Sequence, residues 1–354
     1  MLTQPEITAV KPVLPFICLV QNGTNYAVWT LPAMKRGFPW RLFRIIAVFA
    51  VLIWSFYAFR GSKQSLTRPA LLSDKDYQLI SPQTYTYIHN QPQLCSNRTE
   101  IFVVFLVPVA PHNYAAREAV RKTWGAPGVD TLTLFFLGLP EDSSKRAEIQ
   151  DKVEEESKNY GDIIQINFID SYQNLTIKTL MMMRWLDVHC PQTRYGMKVD
   201  ADIFVNVFYL KDYLKFCPRR SFITGSVIND GAPRRNSESK WHLSEQEYPE
   251  DTFPPYVSGA GYVFSWDLAG RICLASRFFR VIPLEDVYVG LCLRLLEVRP
   301  EYAYSLVPLV TSLFEVRNLE YDRCRFAKLI IVNGFSPSKL IEAWRDFTHG
   351  NANC

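Results

Sequence analysis

The sequence predicts an α/β fold with a mostly parallel sheet flanked by helices, and three observations carry that expectation. Short apolar runs of strand length recur from residue 101 onward, each followed by a stretch with helical spacing. The runs are continuously apolar rather than alternating, as in strands covered on both faces. One of them, Met197 to Asn206 (MKVDADIFVN), sets two carboxylates two residues apart at its end, on the rim where open α/β sheets bind ligands.

In chain order, IFVVFLVPV (101–109) has the length of a buried parallel strand and AAREAVRKTW (115–124) reads as a helix. TLTLFFLG (131–138) is a second strand, and residues 142–158 form a charged helix with a solvated surface. DIIQINFI (162–169) is a strand, LTIKTLMMMRWLDVHC (175–190) a helix, and YGMKV (195–199) the strand that leads into Asp200 and Asp202. GYVFS (261–265) adds a strand and VYVGLCLRLL (287–296) a helix. Alternation of this kind argues for parallel strands joined by helical crossovers. There is no internal repeat.

The first third of the chain is different. Ile45 to Phe59 (IIAVFAVLIWSFYAF) is uncharged, with Lys35, Arg36, Arg41 and Arg44 before it and Arg60, Lys63 and Arg68 after it. With its apolar neighbours and snorkelling arginines it approaches the ~17 to 20 residues that span a bilayer. The expected organisation is a cytoplasmic tail over 1–44, a transmembrane signal anchor over 45–60, a polar stem over 61–94 and a lumenal body over 95–354. Seven of the eight cysteines lie beyond the anchor, without a CxxC pair, which suits disulfides in a lumenal domain and not zinc. Asn97-Arg-Thr and Asn174-Leu-Thr are acceptor sequons on that side. The 354 residues are 48% hydrophobic with a net charge of +4 and no basic block, a composition that argues for a globular body and against nucleic acid as a partner.

Four groups of residues could carry chemistry. An Asx turn or helix cap explains one of Asp200 and Asp202 readily and both less well. Val205, where an EF-hand needs glycine, argues against that calcium loop, whereas Mg²⁺ or Mn²⁺ held by carboxylates and completed by a phosphate fits. LEDVYVG (284–290) places Glu285 and Asp286 at a helix start, as dipole-favoured caps or as a general base. PPYVSGAGYVFS (254–265) brings Gly259 and Gly261 between aromatics, for a tight turn or a close ligand approach. Arg117 and Arg121 share one helix face, as a solvated stripe or as a cradle for phosphates.

In order along the chain, AREAVRKTWG, DSYQNLTIKTL, MKVDADIFVN, SKWHLSEQEYP, PPYVSGAGYVFS and LEDVYVGLCLR resemble the β-1,3-galactosyltransferases of glycosyltransferase family 31, over roughly residues 95–345. The resemblance implies a type II Golgi membrane enzyme with a GT-A-like fold. It would move galactose from UDP-galactose to the 3-hydroxyl of an acceptor sugar on a glycoprotein or glycolipid, with inversion. Asp200, Ala201 and Asp202 would be the family's D-x-D segment, holding Mn²⁺ against the diphosphate. Asp286 would be the general base, with Glu285 orienting the acceptor or the base. Arg117, Arg121 and Lys178 fall near the nucleotide or its support, and Trp241, Tyr256 and Gly259 on the acceptor side. Two departures stand out. Val257 replaces a usual cysteine, so that one disulfide is lost or rerouted to Cys217 or Cys273, and Asn333 stands where a metal-binding histidine is expected. A UDP-N-acetylglucosamine donor, or a non-catalytic lumenal sugar-binding or chaperone-like protein, is the competing expectation.

Overall fold

The structure is a computed structural model that describes residues 85–350 apart from 97 and 99. The expected tail, anchor and most of the stem, and the Asn97 sequon, lie outside the described residues. Among the described residues no helix is long and apolar enough to cross a membrane.

The chain enters through β1 (Tyr87–His89) and the short α1 (Gln93–Ser96), then β2 (Ile101–Pro108), α2 (Tyr114–Arg121), β3 (Thr131–Leu139), α3 (Arg146–Tyr160) and β4 (Ile163–Ile169). It continues through α4 (Leu175–His189), β5 (Thr193–Val199), β6 (Ile203–Val205), α5 (Val207–Leu214), β7 (Ile223–Ile228) and β8 (Tyr256–Ser265). The last part is α6 (Asp267–Ala275), α7 (Glu285–Leu295), β9 (Glu301–Tyr302), β10 (Phe314–Asn318), α8 (Arg323–Phe326), β11 (Ile331–Asn333) and α9 (Pro337–His349).

Eight strands form one sheet in the order β1-β4-β3-β2-β5-β8-β7-β9. The pairs β4-β3, β3-β2 and β2-β5 are parallel, as the helical crossovers require. Beyond β5 the expectation of a mostly parallel sheet gives way: β8 runs antiparallel to both β5 and β7. The reason is the connection, because a long irregular loop joins β7 to β8 with no crossover helix to return the chain in the same sense. A second sheet, β10-β11-β6, stands beside the first. Its strands are too short to print a period in the sequence.

Every residue of β2 but the last is buried, so apolar matter covers both faces of the sheet. One core packs α4, α6 and α7 under Trp185, Phe136 and Tyr262; the other packs α2, α9 and the small sheet around Phe105, Trp124 and Phe204. Each large side chain withdrawn from water contributes about 1.5–3 kcal/mol. The helix expected over 142–158 starts later, at Arg146, because Asp142 accepts the Ser144 N–H (2.9 Å) and makes a turn. It ends at Gly161, whose φ of +64° provides the left-handed cap. Nor is it solvated all round, since Val153, Glu156 and Ser157 are buried.

Cys95 and Cys190 form a disulfide that ties α1 to the end of α4, and Cys324 is also disulfide-bonded. The rerouting considered for the Val257 position does not occur. Val257 is buried in the core, Cys273 and Cys292 are thiols, and the Cys217 Sγ donates to the Tyr213 carbonyl. Burial pushes the Cys273 thiol up to about 12.

Candidate active site

The strands β3 and β4 lie on one side of β2 and β5 on the other, so the strand order reverses between β2 and β5. Ligands bind beyond the carboxyl ends of strands at such a reversal. A cavity of about 290 Å³ opens there, walled by Pro108, Val109 and Ala110 after β2, by Asp200, Ala201 and Asp202 after β5, and by Phe335. Three contacts fix the Asp-Ala-Asp turn. The Asp200 N–H donates to Ala260 O (3.1 Å), the Phe335 N–H to Asp202 O (2.9 Å), and the Trp124 indole to Ile203 O (2.8 Å).

The two carboxylates therefore sit on the cavity wall as hard oxygen donors. Burial, and then the charge of Asp200, push the Asp202 carboxyl up, which marks a pair short of positive charge. That donor set fits a divalent ion of the Mg²⁺ or Mn²⁺ type, which takes one or two carboxylates and completes its shell with phosphate and water. Among the described residues no cluster of three His, Cys, Asp or Glu offers a closed metal site. Asn333, expected as a further ligand, is not on the cavity wall. Its Nδ2 donates to Val316 O (3.0 Å), because β11 pairs with β10 and directs the amide along that seam.

Arg117 and Arg121, expected near the nucleotide or in its support, do not line the cavity. Arg117 is 1% exposed and ion-paired with Glu156 (2.5 Å). Arg121 pairs with Glu156 (2.7 Å) and Asp162 (2.8 Å) and lies over the Tyr160 ring. Their neutralised charges cross-link α2 to α3 and β4. Arg117 still serves the cavity indirectly, donating to Ala110 O (3.0 Å) and Pro111 O (3.1 Å) and so pinning the loop that forms one wall. Lys178 does the same from α4, donating to Val109 O (3.2 Å) while paired with Asp170 (2.6 Å). Burial holds this lysine below its ordinary range, against the pull of Asp170.

On the other side of the Asp-Ala-Asp turn lies Lys198, which is 5% exposed and unanticipated from the sequence. Its Nζ donates to Asp200 Oδ1 (2.8 Å) and to the Gly259 carbonyl, and stands 3.1 Å from Glu285 Oε1 as an ion pair without hydrogen-bond alignment. One ammonium thus joins the two acidic clusters. Its signal was present: β5 alternates, so Lys198 is a third charge in a strand otherwise buried, in register with Asp200.

Glu285 is buried, and its Oε2 accepts from Thr179 (3.2 Å) and Tyr262 (3.3 Å). Burial pushes its carboxyl up to about 7, with Lys198 opposing and Asp286 and Asp200 adding to the rise. Asp286, next to it, is partly exposed and accepts the N–H groups of Gly259 (3.1 Å) and Val287 (2.9 Å). A capping role therefore accounts for part of Asp286 and for none of Glu285, which turns away from the helix end. Gly259 is the hinge of this packing. A Cβ there would stand 2.7 Å from Glu285 Oε1, and its N–H and C=O are both taken by the cluster. It supports the carboxylates through both of its backbone groups.

Tyr256 lies within the field of Asp286. Gly290 of α7 packs against the Tyr256 Cβ, and Gly231 packs against its ring. Burial and then Asp286 raise the Tyr256 phenol to about 12. The Trp241 ring, expected on the acceptor side, carries Arg234 at 4.2 Å and Lys240 at 4.4 Å from its centroid. Tyr172, also unanticipated, lies close to Trp241; burial and then Asp286 push its phenol up. Asn174 turns inward: its Nδ2 donates to Ile169 O (2.8 Å), and the sequon hydroxyl of Thr176 is buried on Ile282 O (2.6 Å).

Comparison with known proteins agrees with this arrangement. The family model for galactosyltransferases matches residues 115–303, a span that runs from the cavity-wall helix α2 past the Glu285–Asp286 pair. The chain is 39% identical over 276 residues to "Beta-1,3-galactosyltransferase 2" of Mus musculus, covering 76% of this chain and 64% of that protein. It is 40% identical over 278 residues to "Beta-1,3-galactosyltransferase 1" of Mus musculus, covering 76% of this chain and 80% of that protein. The apo structure of mouse xyloside xylosyltransferase 1 overlays with a TM-score of only 0.28 at 10% identity, over 60% of this chain and 89% of that one, a likeness too weak to bear on the fold. With a family match over more than half its length and relatives at about 40% identity, the chain belongs to the galactosyltransferase family.

Proposed function

We propose that the chain transfers galactose from UDP-galactose to the 3-hydroxyl of an acceptor sugar, forming a β-1,3 linkage by single displacement on a GT-A-like fold. The observation that carries the reading is the Lys198 bridge. It joins a carboxylate pair on a switch-point cavity to a second pair at the start of α7, so that donor and acceptor chemistry share one buried contact.

In this reading the diphosphate lies in the cavity between Val109, Ala110 and the Asp-Ala-Asp turn, and Asp200 and Asp202 would hold Mn²⁺ there. When bound, such an ion supplies positive charge to the leaving UDP. Asp286 has the exposure that Glu285 lacks, and it takes the proton from the acceptor hydroxyl as that oxygen forms its bond to C1 of galactose and the C1–phosphate bond breaks. The two N–H groups on Asp286 favour its carboxylate form and offset part of the rise that burial causes. Glu285, clamped by Lys198, Thr179 and Tyr262, positions Gly259 and through it Asp286. The acceptor, a terminal N-acetylglucosamine or galactose-type sugar on a glycoprotein or glycolipid, approaches past Tyr256, Trp241 and Tyr172. The chain acts as a single-pass type II Golgi membrane protein anchored by residues 45–60, with its body in the lumen.

A UDP-N-acetylglucosamine donor is the neighbouring alternative. A non-catalytic sugar-binding role has one observation on its side, the absence of Asn333 from the cavity wall. All three readings separate in one experiment. The full chain in detergent is assayed for UDP release with UDP-galactose and UDP-N-acetylglucosamine, with and without Mn²⁺, on terminal N-acetylglucosamine and galactose acceptors. Mn²⁺-dependent release with UDP-galactose is expected, and release with neither donor overturns the enzymatic reading.

A further inference from the structure

The loop between β7 and β8 carries Arg234, Arg235, Lys240 and Trp241. Arg235 is consumed within the loop, donating to the carbonyls of Leu243 (2.9 Å), Tyr248 (2.8 Å) and Glu250 (3.1 Å). Arg234 and Lys240 are not. Both are exposed, both lie over the Trp241 ring, and among the described residues no carboxylate stands within ion-pair distance of either. Asp230 and Glu238 flank them in sequence without pairing.

Taken alone, this arrangement is unfavourable. Each cation gains little from an exposed ring face, and each gives up side-chain freedom while sharing that ring with a like charge. The backbone nevertheless holds it in place. Arg234 bridges to His242, the Leu243 N–H donates to Arg234 O (3.0 Å), and the Phe253 N–H donates to Gly231 O (2.8 Å). An anion held by the two cations offsets their repulsion and uses the ordering already present.

The place of the pair decides which anion. Tyr256 is shared between this loop, through Gly231, and the helix that begins with Glu285 and Asp286, through Gly290. Tyr172 lies close to Trp241 and within the field of Asp286. The cations therefore border the mouth at which the reacting hydroxyl must arrive, on the side away from the Asp-Ala-Asp turn.

We infer that Arg234 and Lys240, carried on Trp241, form a subsite for an anionic substituent of the acceptor glycan, either a sulfate ester or the carboxylate of an acidic sugar. The inference rests on the acceptor side assigned above. Guanidinium offers a fork matched to either planar carboxylate or sulfate oxygens, and the ammonium adds a point charge.

Initial rates of the full chain with UDP-galactose test this on matched acceptors: a neutral N-acetylglucosamine glycoside, its sulfated counterpart and a counterpart carrying an acidic sugar. At least one anionic acceptor is expected to show kcat/KM raised about fivefold, as an exposed ion pair supports, mainly through KM and declining with added salt. Arg234→Gln with Lys240→Gln brings that ratio toward one, and Arg234→Lys restores part of it. A preference for sulfate alone, for carboxylate alone or for both supports the subsite and names its ligand. Equal kcat/KM on all three acceptors, or a preference that survives both glutamine substitutions, overturns it. If no acceptor is turned over, the proposed activity fails separately. Binding of the same three glycans to the full chain, measured by calorimetry, then decides the subsite by whether charge-dependent affinity disappears in the double variant.

Discussion

Replacing Lys198 with methionine removes the ammonium that touches Asp200, Glu285 and the Gly259 carbonyl, and keeps most of the side-chain volume. Removing one partner of a buried ion pair costs about 3–5 kcal/mol when the other charge stays. Glu285 can escape part of that by protonating, because burial has already raised it from 4.5 to about 7. What then remains is an orphaned Gly259 carbonyl and a less compensated Asp200, about 2–3 kcal/mol together. For a domain of this size the Tm should fall by roughly 4–12 °C. The pH dependence is the sharper test. An acid raised in the folded state binds more protons there than in the unfolded chain, so stability falls as pH rises from about 4.5 through about 7. For Glu285 that fall is roughly 3 kcal/mol. Without Lys198 the folded pKa moves higher still, so the decline continues above pH 7 and the gap between variant and parent widens. Thermal unfolding of the full chain between pH 5 and pH 9 reads this directly. Lys198→Met/Glu285→Gln should lose the Glu285 share of the slope across the window and recover part of the lost Tm. A single variant that melts like the parent with the same pH slope, or a double variant whose losses simply add, refutes the bridge.

Three further outcomes follow from the same geometry. Asp286→Asn should lower transfer by about 10²–10⁴-fold with UDP binding unchanged by calorimetry; lost UDP binding would remove Asp286 from the base role. Gly259→Ala drives a Cβ to 2.7 Å from Glu285 Oε1, and should cost about 1–3 kcal/mol in denaturant unfolding together with most of the activity. Asn174 should be unmodified in glycopeptide mass spectrometry of the chain expressed in a glycosylating cell, since its amide and the Thr176 hydroxyl are turned inward.

The parallel half of the sheet was legible because buried strands and crossover helices leave contiguous patterns: β2, β3, β4 and α4 lie within a few residues of where apolar runs place them. The antiparallel half was not. β7 ends in partly exposed residues, the loop after it has no period, and the direction of β8 depends on how that loop returns. The second sheet has two strands of three residues, below the length at which alternation can be distinguished from chance. The charged helix α3 misled for a related reason: its hydrophilic surface conceals Glu156, whose burial is set by two arginines on another helix.

The same distinction runs through the site. A strand that ends in Asp200 and Asp202 announces a rim, because nothing else in a buried strand tolerates two carboxylates there. Sequence spacing puts Arg117 and Arg121 on one face of α2 and says nothing about what that face meets. Glu156 and Asp162 meet it, so the charges expected to cradle phosphate are neutralised, and Arg117 reaches the cavity only through the carbonyls it holds. Asn333 fails in the same way, its direction fixed by the pairing of β11 with β10. Lys198 is the converse case. The rule that makes Asp200 and Asp202 conspicuous applies equally to a lysine two residues earlier, and one lysine with two aspartates in five residues leaves a surplus of negative charge. Glu285 shares that one ammonium and adds to the surplus, which is why burial and its acidic neighbours raise its carboxyl, and the contact that links the two acidic motifs is a property of the fold that spacing does not print.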